Sequence, residues 1–246
     1  MSSALKFLVV GATGYTGRAV VKELRRRNIS TVAHIRPASP AKDKNVSYCT
    51  ELGAIVDHTP WQKEGLVAML ERHQPTHIFS LLGTTKSKAR AASKRGETAT
   101  YEAIDRDLSI LLLKAMEIVQ KNIPEDGFHY LFLSSMGVTE GSRNRYLRAR
   151  ADVEAYIQKT KFRWLIVRPS FISGVDREES RPMERIGSVL GDALLSAISV
   201  MGMKKPYQQY GTLSADELAC GIIECSLDEN AHHQILETQD IRMHIG

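Results

Sequence analysis

A strand-like apolar run that stops at three evenly spaced glycines opens this chain and limits what the remainder can become. In LKFLVVGATGYTGR (Leu5–Arg18), Phe7, Leu8, Val9 and Val10 run unbroken to Gly11, and glycines recur at Gly14 and Gly17. Ala19, Val20, Val21 and Leu24 follow at helical spacing. An unbroken apolar, β-branched run marks a strand buried on both faces, as in a parallel sheet. A strand, a glycine turn and a helix in that order make an anion site. Backbone without side chains comes close to a pyrophosphate, and the helix N-terminus offers it partial positive charge. The turn Gly11, Ala12, Thr13, Gly14, Tyr15, Thr16, Gly17 therefore predicts a dinucleotide-binding fold. Its spacing is G-x-x-G-x-x-G rather than G-x-G-x-x-G, so the flanking strand and helix carry the inference as much as the glycines do.

The chain continues in the same alternation. A helix over about Tyr15–Arg27 precedes strands at Thr31–Ile35 and Leu52–Val56, then a helix at Trp61–His73 and a strand at His77–Leu82. Tyr101–Lys121 is helical, with Ile104, Leu108, Leu111, Leu112, Ala115 and Val119 on one face. Strands at Tyr130–Leu133 and Trp164–Val167 flank a helix at Tyr146–Lys159. This rhythm predicts an α/β fold with a doubly wound parallel sheet. Right-handed crossovers place the loops after strands one, two and four along one edge, where ligands bind. Beyond Gly174, Ile186–Met201 reads as an amphipathic helix. Ser214–Leu227 reads as a helix opened by a capping box of Ser214 and Glu217, and His233–Glu237 as a last strand. With no repeat and no linker, the expectation is one domain over 1–246, with about 175–246 forming a small substrate-side lobe. Apolar residues there and nearby, such as Phe171, Ile172, Leu190 and Met201, suit a carbonyl or quinone pocket and suit a core equally well.

Composition narrows the setting. Charged residues make up 25% and hydrophobic ones 43% of 246 residues, as in a soluble globular protein. No run approaches the roughly 18 apolar residues of a membrane span, and MSSALK leads straight into the first strand, leaving no room for a signal peptide. A cytoplasmic protein is expected. The three cysteines, Cys49, Cys220 and Cys225, lack metal-ligand spacing, and the adjacent His232 and His233 point in different directions, so no metal is expected. The net charge of +5 suits a phosphate-rich cofactor. The basic run Lys86–Gly96 carries five cations and no aromatic, which favours a solvated loop near the cofactor mouth over a nucleic-acid contact.

Cofactor choice turns on the end of the second strand. An acid there would bind the ribose diol of NAD. This chain has Arg36, nineteen positions after Gly17, with no carboxylate before Asp43. A guanidinium matches a 2′-phosphate bidentately, so NADP is expected over NAD. The alternative is a solvated Arg36 ahead of Pro37. Arg18 either adds a second positive charge or is solvated. Asp57, after the third strand, either accepts from an adenine amino group or caps its own turn. Leu82, Gly83 and Thr84 lie along the cofactor's bridge, where a glycine allows close approach.

Any chemistry belongs to LSSMGVTEGSRNRYLRAR (Leu133–Arg150). Two serines end the fifth strand at the ligand edge, Tyr146 starts a helix eleven residues after Ser135, and Arg150 sits one turn further on the same face. GATGYTG, the LSS strand end, the Y-L-x-x-basic helix start and RPSFISG (Arg168–Gly174) resemble the atypical short-chain dehydrogenase/reductases. The likeness is to the NAD(P)-binding branch related to the Tat-interactive proteins, with NmrA-like proteins as cousins. LGTTKSKA (Leu82–Ala89) and AIDRDL (Ala103–Leu108) also resemble that branch, and the likeness covers about residues 5–174.

The resemblance implies a tyrosine that exchanges a proton with the substrate oxygen, a serine hydrogen-bonded to that oxygen, and a lysine one turn after the tyrosine that binds ribose hydroxyls. Those roles fall on Tyr146, Ser135 (Ser134 second) and Arg150, with Pro169 beside the cofactor. A fixed cation favours the phenolate of a group that otherwise titrates near pKa ~10. Arg150 supplies that charge yet cannot release a proton, so a relay through the family lysine is cut. Two functions follow. One is an NADP-dependent oxidoreductase acting on a small carbonyl or quinone. The other is a catalytically weak or inactive NADP-binding regulatory or scaffolding protein read by a protein partner. Homodimers are frequent in the superfamily, and nothing in the sequence identifies an interface.

Overall fold

Residues 7–10, all fully buried, make the central strand β1 (Lys6–Val10). The computed structural model describes residues 4–37, 39, 42–84, 100–123, 127–170, 172–173 and 211–245. After β1 come α1 (Tyr15–Arg26), β2 (Ser30–His34), α2 (Lys42–Glu51), β3 (Ile55–Asp57), α3 (Lys63–His73) and β4 (His77–Ser80). A π-helical turn, Glu102–Asp107, runs into α4 (Leu108–Gln120). Then follow β5 (His129–Leu133), α5 (Arg145–Ile157), β6 (Arg163–Arg168), β7 (Ile172–Ser173), β8 (Leu213–Ser214), α6 (Ala215–Leu227), β9 (Gln234–Glu237) and α7 (Thr238–Met243).

Seven strands pair in parallel in the order β3-β2-β1-β4-β5-β6-β9, and β7 pairs with β8 separately. Alternate residues of each strand enter opposite layers, which is why the strands read as continuous apolar runs. Phe7, Val9, Ala33, Phe79, Leu131 and Val167 pack with α1, α2 and α6. Leu8, Val10, Val32, Ile78, Phe132 and Ile166 pack with α3, α4 and α5. This is the doubly wound sheet expected from the alternation. Its order reverses beside β1, so the C-terminal ends of β1 and β4 form the crevice where such sheets hold ligands.

The capping box of α6 is present, with Glu217 N donating to Ser214 Oγ and Ser214 N donating to Glu217 Oε2. Of the segment 175–246, the described part from residue 211 packs with the main body: Leu218, Ile222 and Ile223 of α6 join the layer under α1, and β9 adds to the sheet beside β6. Burial of that apolar helix face against α1 draws it there. Lys86–Gly96, Thr85, Phe171, Gly174, the helix expected over 186–201 with Leu190 and Met201, and the start of Pro206–Leu213 lie outside the described residues. Among the described residues no helix is long and apolar enough to cross a membrane. Among them, too, no three His, Cys, Asp or Glu side chains are grouped to hold a metal ion.

Candidate active site

The glycine turn is tight because two of its members touch backbone. Gly11 has φ +84°, and a Cβ there would stand 2.6 Å from the carbonyl oxygen of Leu81. A Cβ on Gly17 would meet the Gly11 carbonyl oxygen at 2.1 Å. Gly14 N donates to Gly11 O at 2.9 Å and Gly14 is the N-cap of α1, with no side-chain cap and no acid in the first turn. A dinucleotide pyrophosphate fits this cradle: nothing of negative charge occupies the helix start, and backbone rather than side chain forms its floor. Thr13, Tyr15 and Thr16 complete the turn, Thr16 buried and the other two half-buried.

Arg36 lies two residues past β2, exposed, and its side chain forms no ion pair among the described residues. Arg18 lies half-buried with its guanidinium 4.2 Å from the centre of the Tyr48 ring on α2, a cation–π contact. Asp57 does cap its own turn. Its Oδ1 accepts from Thr59 N at 2.8 Å, and its Oδ2 faces Arg72 and His73 of α3. Burial opposes the charge, but these donors outweigh it and hold the carboxyl well below its ordinary range. Asp57 thus ties β3 to α3, and both of its oxygens already have partners.

The ends of β4 and β5 meet through one buried side chain. Arg150, on α5, is 4% exposed. It donates from Nη1 to Leu133 O and from Nη2 to Leu82 O at 3.0 Å and to Asp105 Oδ1 at 2.6 Å. Asp105 is fully buried on the π-turn, and its Oδ2 accepts from Thr84 N at 3.0 Å. A Cβ on Gly83 would stand 2.9 Å from Arg150 Nη2, so a side chain there would press on the guanidinium. Burial raises the Asp105 carboxyl from its ordinary value while Arg150 pulls it back. The permanent guanidinium charge 2.6 Å away keeps it a carboxylate at neutral pH. Arg150 Nε is buried and finds no partner among the described residues.

Tyr146 occupies the first turn of α5. Its N–H donates to Asn144 Oδ1 at 3.0 Å, its ring packs edge-on to Tyr101 at 5.2 Å, and the Arg150 guanidinium lies 5.3 Å from the ring centre. Its hydroxyl makes no hydrogen bond to a described residue. The two serines separate cleanly. Ser134 is buried and donates to Glu154 Oε1, while Glu154 holds Arg168 through a contact of 2.5 Å. Ser135 is half-buried, with only a long bond of 3.4 Å from its Oγ to Met136 O. Pro169 is buried beside them and accepts from Met136 N at 3.1 Å. The expected Ser135, Tyr146 and Arg150 therefore gather at one end of the sheet. Asp105, Glu154 and Asn144 went unassigned in the sequence. A carboxylate inside the apolar helical face of AIDRDL was the one available signal for Asp105.

The profile of the NAD(P)H-binding family matches residues 11–200. The protein named FMP52, mitochondrial, of Coccidioides immitis is 28% identical over 193 residues, covering 75% of this chain and 72% of its own length. The protein named HTATIP2 of Rattus norvegicus is 29% identical over 178 residues, covering 72% of this chain and 66% of its own. Among solved structures, a short-chain type dehydrogenase/reductase from Mycobacterium ulcerans superposes with a TM-score of 0.66 at 13% identity, covering 98% of this chain and 91% of that one. Gre2 from Candida albicans, in complex with NADPH, superposes with a TM-score of 0.64 at 16% identity, covering 95% and 77%. The structural likenesses are likenesses of fold.

Proposed function

The chain belongs to the NAD(P)H-binding family, and on that premise we propose that it is an NADP-dependent oxidoreductase acting on a small carbonyl or quinone. The observation that carries this is that the glycine cradle Gly11, Gly14 and Gly17 after β1, a weakly engaged serine after β5 and a tyrosine opening α5 all lie at the C-terminal edge of one parallel sheet.

When bound, NADPH supplies a hydride. The Tyr146 hydroxyl donates a proton to the substrate oxygen, and the Ser135 hydroxyl donates a hydrogen bond to the same atom. Ser135 gives up little to do so, because its present bond is long. Ser134 is not free for this part, being held by Glu154. Arg36 suits the 2′-phosphate, being a cation with no carboxylate of its own, and Arg18 adds charge from its seat on Tyr48. Cytoplasmic residence belongs to the same reading. The fungal relatives are named mitochondrial, and imaging the tagged full chain decides between the two compartments.

NADPH oxidation against a panel of ketones, aldehydes and quinones tests the proposal. Turnover abolished by Tyr146→Phe is the expected result. NADPH binding with no turnover on any substrate would transfer the chain to the regulatory reading, and no binding of either nicotinamide coenzyme would remove both.

A further inference from the structure

Arg150 stands one turn after Tyr146 on α5, and its guanidinium is used internally rather than left open to a ligand. Two hydrogens of Nη2 and one of Nη1 go to Asp105 and to the carbonyls of Leu82 and Leu133. The same Asp105 holds the loop after β4 through Thr84 N. The segment carrying it is a π-helical turn, a costly local geometry that recurs at functional sites. We infer that Asp105 is a positioning residue: one buried carboxylate fixes both the Leu82–Thr84 cofactor loop and the guanidinium against Tyr146, so that loop and tyrosine are set together. This deepens the function proposed above and rests on Tyr146 as its acid.

The arrangement has an electrostatic consequence. Among the described residues, Tyr101, just before the π-turn, and Arg150 touch the Tyr146 ring, Asp105 and Glu154 act on Arg150, and Glu102 and Arg145 are the charged neighbours of Tyr101 and Tyr146 in the chain. Glu102 is held by Arg145 at 2.9 and 3.0 Å. Glu154, further along α5, is held by Arg168. Each carboxylate therefore answers one guanidinium, and Asp105 answers Arg150. The end of β5 and residues 82–84 bring no charge. Removing the Asp105 charge leaves the Arg150 cation beside the Tyr146 ring answered only by Glu154, itself held by Arg168, which favours the phenolate.

The experiment titrates Tyr146 directly, without cofactor or turnover, by phenolate absorbance in the full chain and in Asp105→Asn, each differenced against its Tyr146→Phe counterpart. The expected result is a Tyr146 titration about one pH unit lower in Asp105→Asn. NADPH affinity, read by fluorescence, is expected to fall at least fivefold as the 82–84 loop loosens. A lower melting temperature with the Tyr146 titration unmoved would make Asp105 a purely structural anchor and overturn the inference. Should Asp105→Asn not fold, Asp105→Glu keeps the charge but not the reach to both partners. Faster hydrogen exchange at the Thr84 amide supports the coupling, and unchanged exchange overturns it. Failure of NADPH to bind the unaltered chain sinks the proposed function instead, and the tyrosine titration still decides the role of Asp105.

Discussion

The Cβ that Gly17 lacks would stand 2.1 Å from the carbonyl oxygen of Gly11, so the first turn of α1 rests directly on the backbone of the turn that precedes it. Gly17→Ala must push the helix off β1. Overpacking of this kind costs about 1–3 kcal/mol, and a loss of 1 kcal/mol lowers the melting temperature of a domain this size by roughly 2–4 °C. NADPH affinity is expected to fall about tenfold as the helix amides withdraw from the phosphates. Gly14→Ala meets the same oxygen at 3.2 Å and should be milder. Melting curves and fluorescence titrations on both variants check the order, and equal effects would contradict it.

Arg36 decides between the two coenzymes if its cation meets a 2′-phosphate. Charge-assisted hydrogen bonds contribute about 1.5–3 kcal/mol each, so Arg36→Ala is expected to weaken NADPH by at least tenfold and leave NADH unchanged. Arg36→Glu should go further and prefer NADH. Parallel titrations with the two coenzymes measure this directly, and equal losses for both would return Arg36 to the solvent.

The two serines at the end of β5 should fail in different ways. Ser134→Ala strips a donor from the buried Glu154 carboxylate, at a cost of about 1–3 kcal/mol in stability, with kcat little altered. Ser135→Ala removes a donor aimed at the substrate oxygen and should lower kcat by about 10²-fold at unchanged stability. Urea denaturation beside steady-state kinetics separates them, and the reverse pattern would exchange their roles.

What could be read from the residues alone was whatever is decided locally. The glycine turn and the strands β1, β4, β5 and β6 declare themselves because burial on both faces leaves continuous apolar runs. Helix α2 stays hidden because KDKNVSYCTE buries only Cys49 and so carries little apolar periodicity. Its Tyr48, which seats Arg18, is hidden with it. At the site, the tyrosine, the serines and the cation were legible in place, but the partner that determines what Arg150 does lies 45 residues away on the π-turn. The packing of α6 against α1, where Arg27 meets Glu224 across 197 residues, is likewise a tertiary fact without a local signature. Long-range partners of charged groups are what such a reading lacks.

His77 should make the protein acid-sensitive from the opposite end of the sheet. Its ring stacks between Phe7 at 4.3 Å and His129 at 4.5 Å, and it bonds Ser226 O through Nε2 at 3.1 Å. Burial, with His129 beside it, pushes its pKa down from 6.5 to about 3. Between those values the unfolded chain takes up a proton that the folded one refuses, so stability rises with pH through this window and is lost as pH falls. From pH 7 to pH 5 the loss from this one group is about 2 kcal/mol. Phenylalanine cannot take the proton, so His77→Phe, though weakened at both pH values by the orphaned Ser226 carbonyl, should show that much less change between them. Urea denaturation of both proteins at the two pH values gives the difference, and identical pH dependence would mean that His77 is protonated in the folded state.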